Sequence, residues 1–324
     1  MTDSNFYPLI LKAPLKDYIW GGTRLKTDFG FESDLDKVAE AWVVSCHKDG
    51  PSVVSNGSLA GKTLEEAIEA MGPDALGEAC KDFDRFPILV KLIDAKDRLS
   101  IQVHPSDEYA RANEGDNGKT EMWYVIDCDE GAQLVYGFKH SIGSEEFRER
   151  IESNTLDEVL NYVDVHKGDM FFIPLGTVHA IGKGILIAEI QQNSNVTYRV
   201  SDYGRLGADG KPRQLHVEKA IAVSNTNPPL DLYGSVGKIT TYDDNATVRS
   251  LARCEYFDAK LINLYGSLEI KNDRSFVSLV VIDGETKLES EQGSYTLKKG
   301  ESVFIPCGIK FTLGGSAQIL SAAV

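Results

Sequence analysis

A ten-residue pattern that occurs twice constrains the fold of this chain more than any other feature of its sequence. Residues 167–176 read Lys-Gly-Asp-x-x-Phe-Ile-Pro-x-Gly, and residues 299–308 match them at every fixed position except that Glu replaces Asp. The two copies are separated by a constant 132 residues. Each combines a Lys-Gly-acid turn, a short apolar strand and a proline that ends ladder pairing. Because a repeat indicates one structural unit used twice, the sequence predicts two similar β-domains.

Short apolar and β-branched runs between turn residues dominate the rest of the chain. The clearest of these runs predict strands at residues 86–94, 99–104, 122–127, 170–174, 185–191 and 279–282. Helical spacing is confined to residues 63–71, which begin with a capping Thr, and to residues 144–162, where two short helices are predicted around Asn154. Many short, regularly punctuated strands favour an antiparallel sandwich or barrel.

The two copies of the repeat differ directly after the repeated pattern. Gly176 is followed by Thr, Val and His179, whereas the position 132 residues beyond His179 is Phe311, an apolar residue without a metal-binding atom. We therefore expect one functional and one structural barrel.

A change in composition marks the boundary between the two predicted domains. Residues 225–229, Asn-Thr-Asn-Pro-Pro, are the best candidate for a linker, since two prolines after polar residues stop any regular element. The residues that follow are nearly all strand-like and about as numerous as those of one compact β-domain. We predict a metal-binding catalytic domain with helical insertions over residues 1–229 and a β-domain without metal over residues 230–324.

Charge and composition limit the partners of this protein. The formal net charge of −15 repels nucleic acid and anionic membranes at long range. No apolar run approaches the ~20 residues that span a bilayer, and residues 1–5 do not begin a secretory signal. The cysteines are scattered and form no Cys-x-x-Cys pair, which is typical of reduced thiols. We expect a cytoplasmic protein that binds neither nucleic acid nor membranes; the sequence leaves its oligomeric state open.

Four motifs in a fixed order carry a resemblance to a known family. Residues 168–179 fit the second motif of the cupin superfamily, Gly-x5-Pro-x-Gly-x2-His. Residues 100–105 (Ser-Ile-Gln-Val-His-Pro) and 118–124 (Gly-Lys-Thr-Glu-Met-Trp-Tyr) resemble the metal motifs of type I mannose-6-phosphate isomerases. Residues 198–205 resemble the arginine segment of the same family. The chain is similar to the short bacterial members of this family over most of its length.

This resemblance implies a fold and a reaction. The expected fold is mainly β, a double cupin of two jelly-roll β-barrels with a few short helices inserted in the N-terminal half. The expected activity is that of a metal-dependent aldose–ketose isomerase, which interconverts mannose 6-phosphate and fructose 6-phosphate by proton transfer through an enediol or enediolate. The expected partner is therefore a small sugar phosphate.

Four residues are candidate metal ligands. Gln102 and His104 are two residues apart on a predicted strand, so both side chains leave it on the same face. With Glu121 and His179 they make a mixed set of oxygen and nitrogen donors, which suits Zn²⁺ and tolerates Mn²⁺, Fe²⁺ or Co²⁺. We expect one zinc ion per chain, with other divalent metals possible. The alternative is a pair of core histidines that are only hydrogen-bonded.

Two residues are candidates for catalysis. Isomerisation needs a base, stabilisation of the enediolate charge and positioning of the open-chain sugar. The resemblance implies that Arg199 is catalytic, and its permanently charged guanidinium suits charge stabilisation. Glu189 matches an active-site glutamate of the family and is a candidate base. A metal-bound hydroxide is a competing candidate for the base. The alternative for Glu189 is a carboxylate that only orients a ligand or pairs with Arg199.

Three further residues are candidates for substrate binding. Lys91 and Ser100 match family positions near the phosphate, and Lys119 lies beside the predicted ligand Glu121. The alternative for each is a solvated lysine or an ordinary strand serine. No Gly-rich nucleotide loop is present, so neither a nicotinamide nor an ATP partner is expected.

Two other functions suit the same scaffold. A cupin oxygenase would use Fe²⁺ at the same ligands, but the Gln ligand, the arginine segment and the phosphate-binding candidates argue against it. A non-catalytic sugar-phosphate-binding or storage cupin is disfavoured by the complete ligand set in the first domain.

Overall fold

The computed structural model describes residues 6–207, 210–230 and 239–324. Residues 1–5, on which the secretory-signal prediction depends, and residues 231–238, near the start of the predicted second domain, lie outside these ranges. The strands of the described residues are β1 Leu9–Lys12, β2 Leu15–Lys16, β3 Glu40–Val44, β4 Val53–Val54, β5 Ile88–Ala95, β6 Ile101–Val103, β7 Glu121–Cys128, β8 Gln133–Phe138, β9 Leu160–Asp164, β10 Met170–Ile173, β11 His179–Ala180, β12 Ile185–Gln192, β13 Tyr198–Ser201, β14 Ile239–Tyr242, β15 Ala246–Arg253, β16 Asp258–Leu264, β17 Ser267–Ile270, β18 Val277–Ser290, β19 Gly293–Lys298, β20 Ser302–Ile305 and β21 Phe311–Ala323. The α-helices are α1 Arg24–Thr27, α2 Leu64–Met71, α3 Asp107–Asn113, α4 Ser144–Glu152 and α5 Val217–Val223, and short 3₁₀ turns occupy Gly57–Leu59, Pro73–Ala75, Glu78–Cys80 and Leu156–Glu158.

The strands form three antiparallel sheets. A six-stranded sheet has the order β10-β7-β12-β5-β3-β2, and a five-stranded sheet has the order β13-β6-β11-β8-β9. A ten-stranded sheet has the order β14-β15-β16-β21-β18-β20-β1-β4, with β17 paired to β21 and β19 paired to β18. The fold is therefore mainly β with a few helices, as the sequence predicts. Helix α5 lies beyond the N-terminal half, where the helices were expected.

Apolar residues on both faces of the six-stranded sheet hold the layers together. On one face, Ile93 and Trp123 pack against Leu134 and Ile181 of the five-stranded side. On the other face, residues such as Leu92 join a core shared with the ten-stranded sheet. Helices α4 and α5 cover the outer face of the five-stranded sheet. This layering leaves the space between the six- and five-stranded sheets as the interior of the first barrel.

The two copies of the repeat adopt the same local structure. Strands β10 and β20 lie at corresponding positions of the repeat, 132 residues apart. Gly168 and Gly300 have φ values of 89° and 91°, a left-handed conformation that favours glycine. In each copy the acidic side chain accepts a hydrogen bond of 2.7 Å from the backbone N–H three residues earlier. The prediction of one structural unit used twice is confirmed at this level.

Helix α2 is confirmed with its predicted start. The Thr63 side chain accepts a hydrogen bond from the Glu66 backbone N–H, and the Glu66 carboxylate accepts one from the Thr63 backbone N–H at 2.8 Å. This reciprocal arrangement is a capping box, which satisfies two backbone donors at the start of the helix.

The prediction for residues 144–162 is confirmed in part. Helix α4 is present, but only the 3₁₀ turn Leu156–Glu158 follows it, and the chain enters β9 at Leu160. In β9, Val163 pairs with Leu134 of β8. The second predicted helix is wrong because pairing with a strand distant in sequence outweighs local helical spacing.

The ten-stranded sheet takes strands from both ends of the chain. Leu9 of β1 pairs with Phe304 of β20, and Leu11 of β1 pairs with Val54 of β4. The linker candidate, residues 225–229, contains no helix or strand, and its Asn225 N–H donates to the Gly176 carbonyl at 2.7 Å. The domain division at residue 230 stays a prediction. No helix among the described residues combines the length and hydrophobicity needed to cross a membrane.

Candidate metal centre and active site

A row of paired residues on the five-stranded sheet carries the first half of the site. Gln102 of β6 pairs on one side with Arg199 of β13 and on the other side with His179 of β11. Directly paired residues in an antiparallel sheet point to the same face. The three side chains therefore lie side by side, although their residues span almost a hundred positions of the sequence.

A second row on the six-stranded sheet carries the other half. Lys91 of β5 pairs with Trp42 of β3 and with Glu189 of β12, and Glu189 pairs in turn with Trp123 of β7. Glu121 is two residues before Trp123 on the same strand, so its side chain points to the same face. The Trp123 and His179 rings, whose centroids are 5.3 Å apart, bring the two rows into contact.

The four predicted metal ligands lie together between these rows. Donor atoms of His104, Glu121 and His179 lie within 4.8 Å of one another, and all three residues are buried. The two carboxylate oxygens of Glu121 are 3.3 Å from Nε2 of His179 and 3.5 Å from Nε2 of His104. Nε2 of Gln102 is 3.3 Å from Nε2 of His179. Their role as ligands stays a prediction, but the geometry that it requires is present.

Backbone contacts orient both imidazoles for metal binding. Nδ1 of His104 lies 2.8 Å from the Val196 carbonyl oxygen, and Nδ1 of His179 lies 2.8 Å from the Thr177 carbonyl oxygen. Since a carbonyl can only accept, each Nδ1 carries the proton, and each Nε2 presents a lone pair to the cluster. Burial lowers the pKa of His104 to about 3 and also lowers the pKa of His179, so both rings are neutral near pH 7.

The Glu121 carboxylate supplies negative charge to this cluster. Burial alone would raise its pKa, but the Lys119 ammonium holds the pKa well below its ordinary value. Lys119 forms an ion pair with one Glu121 oxygen, while the other oxygen, Oε1, is buried and accepts no hydrogen bond from the described residues. Two imidazoles that each present a free Nε2 lone pair, and a buried carboxylate oxygen that accepts no hydrogen bond, are suitable ligands for a divalent cation. The residues present therefore fit a metal ion.

A cavity of about 300 Å³ opens beside the cluster. Gln102 lines this cavity and contacts His179, and Lys119 lines it and contacts Glu121. The charged residues of the lining are Glu40, Lys91, Lys119, Glu189, Arg199 and Arg213. A small anionic ligand in this cavity would meet side chains of both signs.

Glu189 is a cavity carboxylate with three polar neighbours. Its Oε1 atom is 3.1 Å from Lys91 Nζ and 3.6 Å from Lys119 Nζ, and its Oε2 atom accepts a hydrogen bond of 3.0 Å from the Trp123 indole. Burial would lower the pKa of Lys91, but the neighbouring charges of Glu189, Glu40 and Glu121 together outweigh burial and raise it, so Lys91 stays protonated. The Trp123 indole therefore helps to orient Glu189.

Arg199 lines the cavity without a carboxylate partner among the described residues. Its Nη1 donates to the Gln214 carbonyl at 2.8 Å, and its buried Nε donates to no described group. Burial lowers the pKa of Arg199, and the neighbouring charge of Arg213 lowers it further. The alternative in which Glu189 pairs with Arg199 is not observed in the described chain, because the ion pairs of Glu189 are with lysines.

The three predicted substrate-binding residues are placed differently. Lys91 and Lys119 both line the cavity. Ser100 is buried directly before β6 and is not among the described residues that line the cavity.

Sequence reasoning missed two charged residues of the cavity. Glu40 accepts a hydrogen bond of 2.7 Å from the Trp42 indole, and a lone acid in the otherwise apolar strand β3 is the signal that marks it. Arg213 comes from the segment after β13, and no motif spacing predicts that this segment returns to the cavity.

The second copy of the repeat has apolar residues at the ligand positions. Glu121 pairs with Ile173 of β10, and the residue that pairs with the corresponding Ile305 of β20 is Val277. The position of His179 is taken by Phe311, which is buried in the same apolar core as Val277. Within the described residues, the His/Glu cluster therefore has no counterpart in the C-terminal repeat.

Two family models match the chain. Residues 9–132 match the model described as phosphomannose isomerase type I, catalytic domain. Residues 247–324 match the model described as mannose-6-phosphate isomerase, cupin domain.

Individual relatives match the chain from end to end. The mannose-6-phosphate isomerase ManA of Bacillus subtilis is 42% identical over 97% of this chain and 98% of its own length. A mannose-6-phosphate isomerase of Streptococcus mutans is 35% identical over 97% of this chain and 98% of its own length. The crystal structure of a mannose 6-phosphate isomerase from Bacillus subtilis has a TM-score of 0.91 at 37% identity and covers 98% of this chain and 99% of that chain.

Proposed function

The chain belongs to the type I mannose-6-phosphate isomerase family, and we propose that its reaction takes place in the cavity between the six- and five-stranded sheets. The enzyme interconverts mannose 6-phosphate and fructose 6-phosphate. The observation that carries the assignment of the site is the buried cluster of His104, Glu121 and His179 beside a cavity lined by acids and cations. The reaction moves one proton between C2 and C1 of the open-chain sugar and one between the two oxygens, so that substrate and product are isomers.

Gln102, His104, Glu121 and His179 would hold one Zn²⁺ ion. Two imidazoles, a carboxylate and an amide suit zinc and tolerate other divalent metals. Rotation of the Gln102 amide would turn its oxygen toward the ion. When bound, the ion polarises or orients the two substrate oxygens that exchange the carbonyl.

Glu189 acts as the base in this proposal. Its carboxylate is held by Lys91, Lys119 and Trp123, so it keeps one orientation in the cavity. It takes the proton from C2 of the aldose and returns it to C1, and the reverse transfer gives the aldose from the ketose.

Arg199 and the two lysines bind and stabilise the substrate. The Arg199 guanidinium has a free buried Nε donor, which suits an oxygen that gains negative charge in the enediolate. Lys91 and Lys119 line the same cavity and would contact substrate oxygens. A contact from Ser100 needs a rearrangement, since this residue does not line the cavity among the described residues.

We also propose that only the first of the two predicted domains binds metal, and that the protein is cytoplasmic. Residues 1–229 would supply the metal centre, and residues 230–324 would supply the structural barrel whose core contains Phe311. A cytoplasmic location agrees with the five free cysteines and with the acidic charge of the chain.

Metal removal and restoration test the proposed function. The purified protein is treated with a chelator, divided, and restored with Zn²⁺, Mn²⁺, Fe²⁺ or Co²⁺. Fructose 6-phosphate formed from mannose 6-phosphate is then measured. We expect activity to be lost on chelation and restored by at least zinc. No activity with any metal would contradict the isomerase, and oxygen consumption with Fe²⁺ would instead indicate an oxygenase.

A further inference from the structure

The connection between β12 and β13, residues 193–197, lies against one of the predicted metal ligands. It contains Val196, whose carbonyl contacts His104, and the buried Ser194. We propose that the Ser194 hydroxyl is a positioning residue of the metal centre, because it fixes the Val196 carbonyl and thereby the ring of His104. This inference rests on the proposed function, in which His104 is a metal ligand.

The Ser194 hydroxyl makes two hydrogen bonds in different directions. Its oxygen accepts from the Val196 backbone N–H at 3.2 Å, and its proton is donated to the Asn117 carbonyl at 2.7 Å. A serine that binds the backbone N–H two residues later fixes a local turn. Ser194 is fully buried, so water does not compete for either bond. Since the N–H and the carbonyl belong to the same residue, holding the Val196 N–H also restricts the direction of its carbonyl.

The bond to Asn117 joins this connection to the chain that leads into β7. Asn117 lies on the same short segment as Glu121, the carboxylate of the predicted metal centre. Next to it, the Gln192 N–H donates to the Thr120 carbonyl at 3.0 Å, and the Thr120 N–H donates to the Gln192 side-chain oxygen at 2.7 Å. The Val196 carbonyl is therefore held at a defined place relative to the segment that carries Glu121.

Two further side chains hold the connection, one on each side of Ser194 in the sequence. The buried Gln191 amide donates at 2.7 Å to the carbonyls of both Gln192 and Ser194. The Asn195 backbone N–H lies 3.5 Å from Oδ2 of Asp116. These contacts fix the residues around Ser194, and the Ser194 hydroxyl transmits this order to the Val196 N–H.

The direction of the Val196 carbonyl decides how His104 can bind a metal. Nδ1 of His104 lies 2.8 Å from this carbonyl oxygen, while Nε2 lies 3.5 Å from Glu121. Without an acceptor at Nδ1, the imidazole can rotate or carry its proton on Nε2, and that nitrogen then offers no lone pair. Ser194 acts on the ligand only through Val196, so its role is to position the ligand and not to bind the metal or the substrate.

Ser194→Ala tests this role, with Ser302→Ala as its matched control. Ser302 is also buried, and its hydroxyl donates to the Val43 carbonyl at 2.6 Å. Because loss of a contact that orients a ligating histidine costs about 10–100-fold in metal affinity, we expect this fall in zinc affinity for Ser194→Ala. Competition with a chelating dye measures the affinity of the full-length protein. Ser302→Ala should change it less than threefold, although both variants should lose similar stability towards urea.

A second variant keeps the test valid if Ser194→Ala does not fold. Ser194→Cys fills the same space, but a thiol forms only weak hydrogen bonds. Its zinc affinity should lie between those of the wild type and Ser194→Ala, and at least threefold below the wild type. Wild-type affinity in Ser194→Cys would contradict the role of the hydroxyl.

The proton of His104 gives a readout that does not require metal. The chain has 6 histidines, so ¹⁵N-histidine labelling and NMR of the chelator-treated full chain can distinguish their tautomers. We expect the wild type to carry the proton on Nδ1 of both His104 and His179. In Ser194→Ala, His104 should become a mixture of the two tautomers, whereas His179 should not change, because its Nδ1 contacts the Thr177 carbonyl.

The outcomes separate this inference from the proposed function. Zinc affinity within threefold of the wild type in Ser194→Ala would overturn the inference, and so would equal losses in Ser194→Ala and Ser302→Ala. An unchanged His104 tautomer in Ser194→Ala would also overturn it. A wild-type protein that binds no divalent metal and forms no fructose 6-phosphate would instead reject the proposed function, while the change of tautomer would still support the positioning of His104 by Ser194.

Discussion

His104 and His179 are buried, and each uses Nδ1 on a backbone carbonyl, which leaves both Nε2 atoms facing Glu121. A histidine needs both conditions to be a good metal ligand near pH 7, since it must be neutral and in the right tautomer. The same burial makes the negative charge of Glu121 energetically unfavourable unless an opposite charge lies beside it, and Lys119 supplies that charge. At this scale the site is a set of buried charges that compensate one another.

The role of Glu189 can be tested with an isosteric change. Glu189→Gln keeps the shape of the side chain but removes its basic carboxylate, so kcat should fall roughly 10²–10⁴-fold. Bound zinc should be unchanged, because Glu189 is not among the clustered metal-ligand candidates. Steady-state kinetics and metal analysis of the purified variant measure both effects. Wild-type kcat in this variant would mean that another group takes the proton.

The indole of Trp123 should matter for kcat more than for KM. Trp123→Phe removes the hydrogen bond of 3.0 Å to Glu189 and keeps an aromatic ring near His179. A hydrogen bond to a charged group contributes about 1.5–3 kcal/mol, so we expect kcat to fall at least about tenfold. Trp42→Phe is the matched control, since that indole donates to Glu40 instead. Equal kinetic losses in both variants would show that general packing, not the contact with Glu189, is responsible.

Strands β10 and β20, with their partners β7 and β18, are two versions of one element. Their turns and pairings correspond, but the first version presents Glu121 and leads to His179, whereas the second presents Val277 and leads to Phe311. The same backbone therefore supports a metal site in one copy and an apolar core in the other. The side chains that point inward decide between the two.

Substitution at the equivalent positions tests this difference. His179→Ala should abolish bound zinc and activity, because it removes a predicted ligand. Phe311→Ala should keep both and lower the free energy of unfolding by ~3–5 kcal/mol, because it leaves a cavity in a buried core. Metal analysis and urea denaturation of both variants provide the comparison. Equal loss of zinc from the two variants would contradict the division of labour.

The whole molecule depends on strands from both ends of the chain. The ten-stranded sheet contains β1 and β4 from the N-terminal region, and β1 lies directly beside β20. Leu9 of β1 is fully buried in the core that joins the six- and ten-stranded sheets. The N-terminal region and the C-terminal half are thus linked by a shared sheet as well as by residues 225–229.

This linkage predicts the behaviour of a separated C-terminal half. A fragment of residues 230–324 lacks β1 and β4, so it exposes the edge of β20 and part of the shared core. We expect this fragment to show no cooperative thermal unfolding transition by circular dichroism, whereas the full chain shows one. A sharp transition in the isolated fragment would mean that the second barrel folds without the N-terminal strands.

The sequence alone determined the repeated unit, the strands that turn residues delimit, the capped helix α2 and the four candidate ligands. These features depend on residues that are close together in the chain or on a motif with fixed spacing. Only the tertiary structure decided that Lys91 lies beside Glu189, that β1 joins β20 and that Arg213 reaches the cavity. Strand partners and register depend on which apolar faces can be buried together, and that choice is made between residues far apart in sequence.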